Sequence, residues 1–207
     1  MTADRPTNLL NDTIRTITER RSVRRFSGRP VPDGIVRVLL EAANRAPSAH
    51  NRQSWRFLIV RGGKKTDLAE MANKRAAGFA RPASVLLRMA ARTITAAPVV
   101  IAVANTGDLI RHGSGLFQLD EAANLDFFRT MEIQSSAAAV ENLMLAAASL
   151  GLGTVWLGIL YLVKDEALRL LGEPEGEFMA VIPVGYPEIE GAGPQKRPLA
   201  AVVRTLD

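Results

Sequence analysis

Apolar residues along this chain recur in two rhythms. Over residues 7–20, Leu9, Leu10, Ile14 and Ile17 fall at roughly helical spacing, which predicts a first helix. The basic stretch RRSVRRF at 20–26 breaks that pattern. The helical rhythm returns in VPDGIVRVLLEAANRAP, residues 31–47, with Ile35, Val38, Leu39, Ala42 and Ala43 as the expected apolar face. Pro32 suits the first turn, Asp33 complements the positive end of the dipole, and Pro47 ends the helix. The period then changes to two. SWRFLIVRGG alternates and runs into two glycines, so a strand is predicted at 55–61. Residues 64–76 and 82–95 return to helical spacing. APVVIAVAN is continuously apolar and β-branched, the mark of a buried strand at 98–104.

Residues 105–126 mix glycines, charges and isolated aromatics and read as a loop or lid. A long helix follows at about 128–150, with Gly151 placed to cap it. Its alanines (137, 138, 146, 147 and 148) would let another helix approach closely. GTVWLG is a short strand, 164–171 a helix and EFMAVIPVGYP a strand. The last stretch, GAGPQKRPLAAVVRTLD, starts irregular and basic and ends β-branched. Without an internal repeat or a convincing linker, residues 1–207 read as one α+β domain around a sheet of about four or five strands.

Composition narrows the function classes. The chain has 207 residues, 47% hydrophobic and 23% charged, enough for a full core and near the globular average. Neither a secretory signal nor an apolar run of about 18 residues is visible. With no cysteine and only His50 and His112 as histidines, thiolate catalysis, disulfides and Cys/His metal centres are not expected. A cytoplasmic enzyme or binding protein is the default. The net charge of +5 suits an anionic ligand or nucleic acid. Aromatics at 5%, with no stacking array, give little support to single-strand binding.

The common nucleotide signatures are missing: neither G-x-G-x-x-G nor a P-loop occurs, nor a G-x-S-x-G elbow. HGSG at 112–115 reads as a polar turn. RRSVRR is the positive candidate, because arginine forks and a serine hydroxyl can grip a phosphate. On an extended segment Arg20, Ser22 and Arg24 would converge while Arg21 and Arg25 point elsewhere. A solvated basic turn explains the segment equally well. Lys196 and Arg197 are an ordinary basic tail unless space pairs them with that turn. APSAHNRQSWRF, residues 46–57, is a short polar loop between a helix end and a strand start, a usual place for ligand groups. Trp55 and Phe57 read as core anchors, and His50 as a loop histidine.

RRSVRRF, APSAHNRQSWRF, SLGLGTVWLG and VIPVGYP with PQKRPL, taken in this order, resemble the nitroreductase family of FMN-dependent oxidoreductases. APSAHNRQSWRF is especially similar to the nitroreductase-like domains of coenzyme F420 biosynthesis. The resemblance implies a three-layer fold, with a mostly antiparallel sheet flanked by helices and a long central helix at a homodimer interface. It implies FMN at that interface, touched by both subunits, and NADH or NADPH as electron donor. By position, Arg20 and Ser22, with Arg21 beside them, would hold the phosphate, completed by Lys196 and Arg197. Arg24 would lie by the pyrimidine edge. Pro47, Ser48, Ala49 and Asn51 would reach the flavin from the partner subunit. The backbone of Leu157 and Gly158 would lie near the reactive N5, and no side chain would be catalytic. Two departures stand out: Ser54 where the family loop commonly has proline, which is expected to loosen the turn, and Leu157 where some members carry glutamate.

Four readings follow. The first is an FMN-dependent NAD(P)H oxidoreductase working by ping-pong kinetics on a small organic acceptor, with residues 105–126 and Phe117, Phe127 and Phe128 shaping the acceptor pocket. The second is a reductase of a dehydro precursor in F420 biosynthesis. The others are a non-catalytic flavin-binding protein and a basic nucleic-acid-binding domain. No metal and no membrane are expected.

Overall fold

A computed structural model describes residues 11–206. The first helix, α1, spans Asp12–Glu19 and is capped by Asn11, whose side chain accepts from Ile14 N. Leu9 and Leu10 lie outside the described residues. α2 is Asp33–Asn44 and β1 is Trp55–Val60; α3 (Gly62–Arg75) and α4 (Ala83–Ala96) precede β2, Val99–Asn105. α5 is Asp108–Gly113 and α6 is Glu121–Ser149; β3 (Gly153–Thr154), α7 (Lys164–Leu171) and β4 (Glu177–Gly185) complete the set.

The four strands form one antiparallel sheet in the order β1-β2-β4-β3. β2 lies centrally and is buried along its whole length. Its side chains alternate, as the pleat requires. Val99, Ile101 and Val103 face α2 and α6 with Leu39, Val140, Leu143 and Ile182. Val100, Ala102 and Ala104 face the layer of α3, α4 and α7, with Leu68, Leu87, Ile94 and Val181. Covered on both faces, β2 needs no polar alternation, which is why its sequence reads as a continuous apolar run. The result is the expected α+β, three-layer arrangement.

Three expectations need correction. α2 buries Val36, Leu39 and Ala43, whereas Val38 is 48% exposed; the apolar stripe keeps Leu39 and Ala43 and is rotated by roughly a sixth of a turn, toward Val36. α6 starts at Glu121, capped by Asp120, whose carboxylate accepts from Ala123 N. It begins seven residues before the expected start at 128 and so takes in Phe127 as well as Phe128. The segment expected to be a loop or lid contains α5. Among the described residues, no helix is long and apolar enough to cross a membrane.

Candidate functional site

The basic turn is built by three constraints. α1 stops at Arg20, whose extended backbone (φ −55°, ψ 133°) turns the chain out of the helix. Ser22 then forms a parallel bridge with Thr154, and Val23 N donates to Thr154 O at 2.9 Å. Val23 is buried. A Cβ on Gly153 would lie 2.6 Å from the Val23 side chain, so glycine is what allows this approach.

From the other end of the chain, residues 187–196 return to the same place. Arg21 Nη2 donates to Ile189 O at 2.5 Å. The C-terminal end of α6 closes the floor. There Leu152 N donates to Ala147 O and Gly151 N to Ala148 O, with Gly151 at φ +73°. This is the Schellman pattern, which needs a left-handed residue. Arg20, Arg21, Ser22, Gly153, Thr154 and Lys196 thus line one cleft of about 990 Å³. Alternation does not hold at the helix exit, because Arg21 shares the cleft with Arg20 and Ser22. Acidic side chains (Asp12, Glu19 and Glu190) also line it, and Arg20 Nε lies 3.3 Å from Glu141 Oε1.

Other predicted residues lie elsewhere. Arg24 is exposed and outside the cleft lining; the Ser22–Thr154 bridge runs its segment alongside the one that leads to Trp156. Leu157 donates its N–H to Val181 O at 3.0 Å, so that amide is already used. Gly158 opens a 3₁₀ helix, Gly158–Val163, where the first N–H groups lack an intrahelical acceptor. Arg197 turns to its own tail, donating to Ala201 O at 3.2 Å.

The polar loop sits against the middle of α6. Ala49 N donates to Ser135 Oγ, and Gln53 N to Ser48 Oγ. Ser135 and Ala148 are thirteen residues apart on α6, about 20 Å along its axis at about 1.5 Å per residue. Pro47, Ser48, Ala49 and Asn51 are therefore held well away from their own chain's cleft. His50, Asn51 and Gln53 all have φ near +51°, a strained region for residues other than glycine that concentrates at functional sites. Trp55 anchors the loop's exit, its indole N–H donating to Asn44 Oδ1 at 2.9 Å.

Sequence reasoning missed the partners of this loop. Ser54 is buried; its Oγ accepts from Leu109 N at 3.1 Å and its carbonyl from Thr106 N at 2.8 Å. It ties the turn down instead of loosening it. Glu132, 1% exposed, accepts from the same Leu109 N at 2.7 Å. Arg52 donates through Nε and Nη2 to Asp108 Oδ2 at 2.9 and 2.6 Å. The one available signal was a charged residue inside a long apolar helix, Glu132. Nearby, a hydrogen bond from Arg129 to Glu177 and the carboxylate's charge hold that guanidinium above its usual pKa. Phe117, Phe127 and Phe128 form a cluster with ring centroids 5.1–5.7 Å apart. Phe128 is a core residue, while Phe117 and Phe127 are half open to solvent.

The model of the Nitroreductase family matches residues 17–186, most of the chain. The chain belongs to the nitroreductase family. Among similar proteins, this nitroreductase-family chain is 32% identical to an NADH dehydrogenase of Thermus thermophilus over 202 residues, covering 89% of this chain and 91% of that one. It is 32% identical over 186 residues to an Archaeoglobus fulgidus protein described as a candidate NADH dehydrogenase/NAD(P)H nitroreductase, covering 87% and 88%. Among solved structures, a nitroreductase-type protein of Desulfovibrio desulfuricans in complex with FMN is 29% identical, with TM-score 0.71 and coverage of 96% and 98%.

Proposed function

We propose that this nitroreductase-family chain is an FMN-dependent NAD(P)H oxidoreductase that reduces a small organic acceptor. One observation carries the reading: Arg20, Arg21 and Ser22 meet Lys196, from the opposite end of the chain, around one cleft. The donor set fits a phosphomonoester. Guanidinium groups, an ammonium and a hydroxyl offer charge-assisted hydrogen bonds to its oxygens. The Nitroreductase match and the relative solved with FMN support the choice of cofactor.

Bound FMN would supply the two-electron chemistry, accepting hydride at N5 and passing it on. The protein's tasks are binding and orientation. Arg20, Arg21, Ser22 and Lys196 hold the phosphate. Arg24, farther along the segment that runs beside Trp156, would lie at the ring end, where its positive charge would stabilise negative charge on the cofactor's ring. Gly158, with its N–H at a helix start, is the better placed of the Leu157–Gly158 pair to donate to the cofactor. Donor and acceptor use one slot in turn, so the expected rate law is ping-pong.

Pro47, Ser48, Ala49 and Asn51, about 20 Å along α6 from the cleft by its rise, are assigned to the flavin of a second subunit. Exposed apolar side chains on α1 (Ile14, Ile17) and in the tail (Leu199, Val202, Val203, Leu206) support a homodimer that buries them. A cytoplasmic location suits an enzyme that draws on NAD(P)H. Anaerobic titration of the purified protein with NADH and NADPH, followed by reoxidation with quinones, nitroaromatics and a dehydro deazaflavin precursor, tests the reading. Bleaching of a flavin spectrum and its return with an acceptor are expected. A protein that binds no FMN, or whose flavin neither nicotinamide reduces, would overturn it.

A further inference from the structure

Residues 106–113 are gripped from several sides. Alternate residues of the polar loop each reach them: His50 packs edge-on against His112, with ring centroids 5.6 Å apart; Arg52 donates twice to Asp108; Ser54 accepts from both Leu109 N and Thr106 N. The segment between them is a tight turn, with His50, Asn51 and Gln53 at φ near +51° and Arg52 in the helical region, and it brings all three against residues 106–113. Glu132 of α6 accepts from Leu109 N as well. At the far end, a Cβ on Gly113 would collide with the ring of Phe128, itself 1% exposed. α5 is thus docked by hydrogen bonds at its start and by direct ring contact at its end.

We infer that α5 is a fixed wall of the acceptor pocket and that Arg52, through Asp108, is a specificity-determining positioning residue. This rests on the assignment of Pro47, Ser48, Ala49 and Asn51 to a flavin site. The physical consequence is that the loop assigned to the flavin and the wall beside it move as one unit. The width between flavin and α5 is then set by protein contacts made before any acceptor arrives. A pocket of fixed width favours compact, single-ring quinones and nitroaromatics over fused-ring ones. Ser54 and Glu132 hold the same helix from behind, at the one backbone amide they share. Of these contacts Arg52–Asp108 is the ion pair, and it lies near the surface, with exposures of 36% and 35%. It can therefore be removed without leaving a buried charge unpaired.

The test uses the full-length enzyme with Arg52→Ala, Asp108→Ala and the reversed pair Arg52→Asp/Asp108→Arg. Benzoquinone and phenanthrenequinone serve as compact and fused-ring acceptors. Each single variant should keep its FMN affinity and its rate of flavin reduction by NAD(P)H. The ratio of kcat/KM for the fused-ring over the compact acceptor should rise about fivefold, carried by KM, as expected from losing a half-exposed ion pair. The reversed pair should bring the ratio back toward wild type. Hydrogen exchange at the α5 amides should speed up in the singles and slow again in the reversed pair. An unchanged acceptor ratio with FMN bound, or unchanged α5 exchange, overturns the inference. A wild-type protein that takes up no FMN overturns instead the flavin reading and the acceptor role built on it; the exchange data still decide whether Arg52 holds α5.

Discussion

Val23 rests on Gly153 so closely that a single added methyl carbon at 153 would lie 2.6 Å from it. This contact joins the basic turn to the sheet, because Val23 N also donates to Thr154 O. Gly153→Ala is expected to push the segment off β3. Overpacking of this kind costs about 1–3 kcal/mol. FMN affinity should fall along with the melting temperature, since Arg20, Arg21 and Ser22 move with Val23. Thermal melts and a flavin fluorescence titration check both, and a variant with unchanged melting would show that the segment can shift freely.

Arg20 faces two partners. Its Nε lies 3.3 Å from Glu141, and its side chain lines the cleft. Arg20→Ala should weaken FMN binding by about 1.5–3 kcal/mol, the range for a charge-assisted hydrogen bond. Glu141→Gln should do the reverse, by removing a carboxylate that competes with phosphate for the same guanidinium. Calorimetric titration of both variants separates the roles. Equal FMN affinity in wild type and Arg20→Ala would sink the phosphate assignment.

Gly113→Ala is expected to destabilise the fold by about 1–3 kcal/mol, because the new Cβ meets a buried ring that has no space to yield. Adding Phe128→Leu should restore part of the loss by opening room. Urea denaturation of the single and double variants measures the coupling; strictly additive effects would mean the two positions do not touch in solution.

Much of this fold could be read from periodicity. β2 announced itself by its apolar run, and Gly151 by its place after a long helix. The failures have physical causes. The start of α6 was hidden because its first turns, Glu121–Asp126, carry charges that face solvent, so a helix criterion based on apolar spacing has nothing to find there. Val38 was assigned to the core because both it and Val36 fit a helical stripe, and only packing against α6 decides between them. At the candidate site, residue types marked Arg20, Ser22 and Lys196. The Arg52–Asp108 and Ser54–Leu109 contacts join residues more than fifty positions apart, and nothing local encodes them. Ser54 shows the limit most clearly. Its effect was expected to be a looser turn, but its hydroxyl accepts a bond that no local rule foresees.

Lys196 and Arg197 are adjacent and equally basic, yet the fold gives them different surroundings. Lys196 lines the cleft with Arg20 and Arg21. Arg197 spends its guanidinium on Ala201 O within the tail. If position and not net charge determines binding, Lys196→Ala should weaken FMN affinity by about 1.5–3 kcal/mol. Arg197→Ala should cost a few tenths of that, since an exposed charge acts only through a screened field. Raising the salt concentration sharpens the distinction, because screening suppresses the Arg197 contribution and leaves the direct contact of Lys196. FMN titrations of the two variants at low and high salt give the answer. Equal losses that vanish together in salt would mean that the tail attracts the phosphate as a diffuse charge and that Lys196 makes no contact of its own.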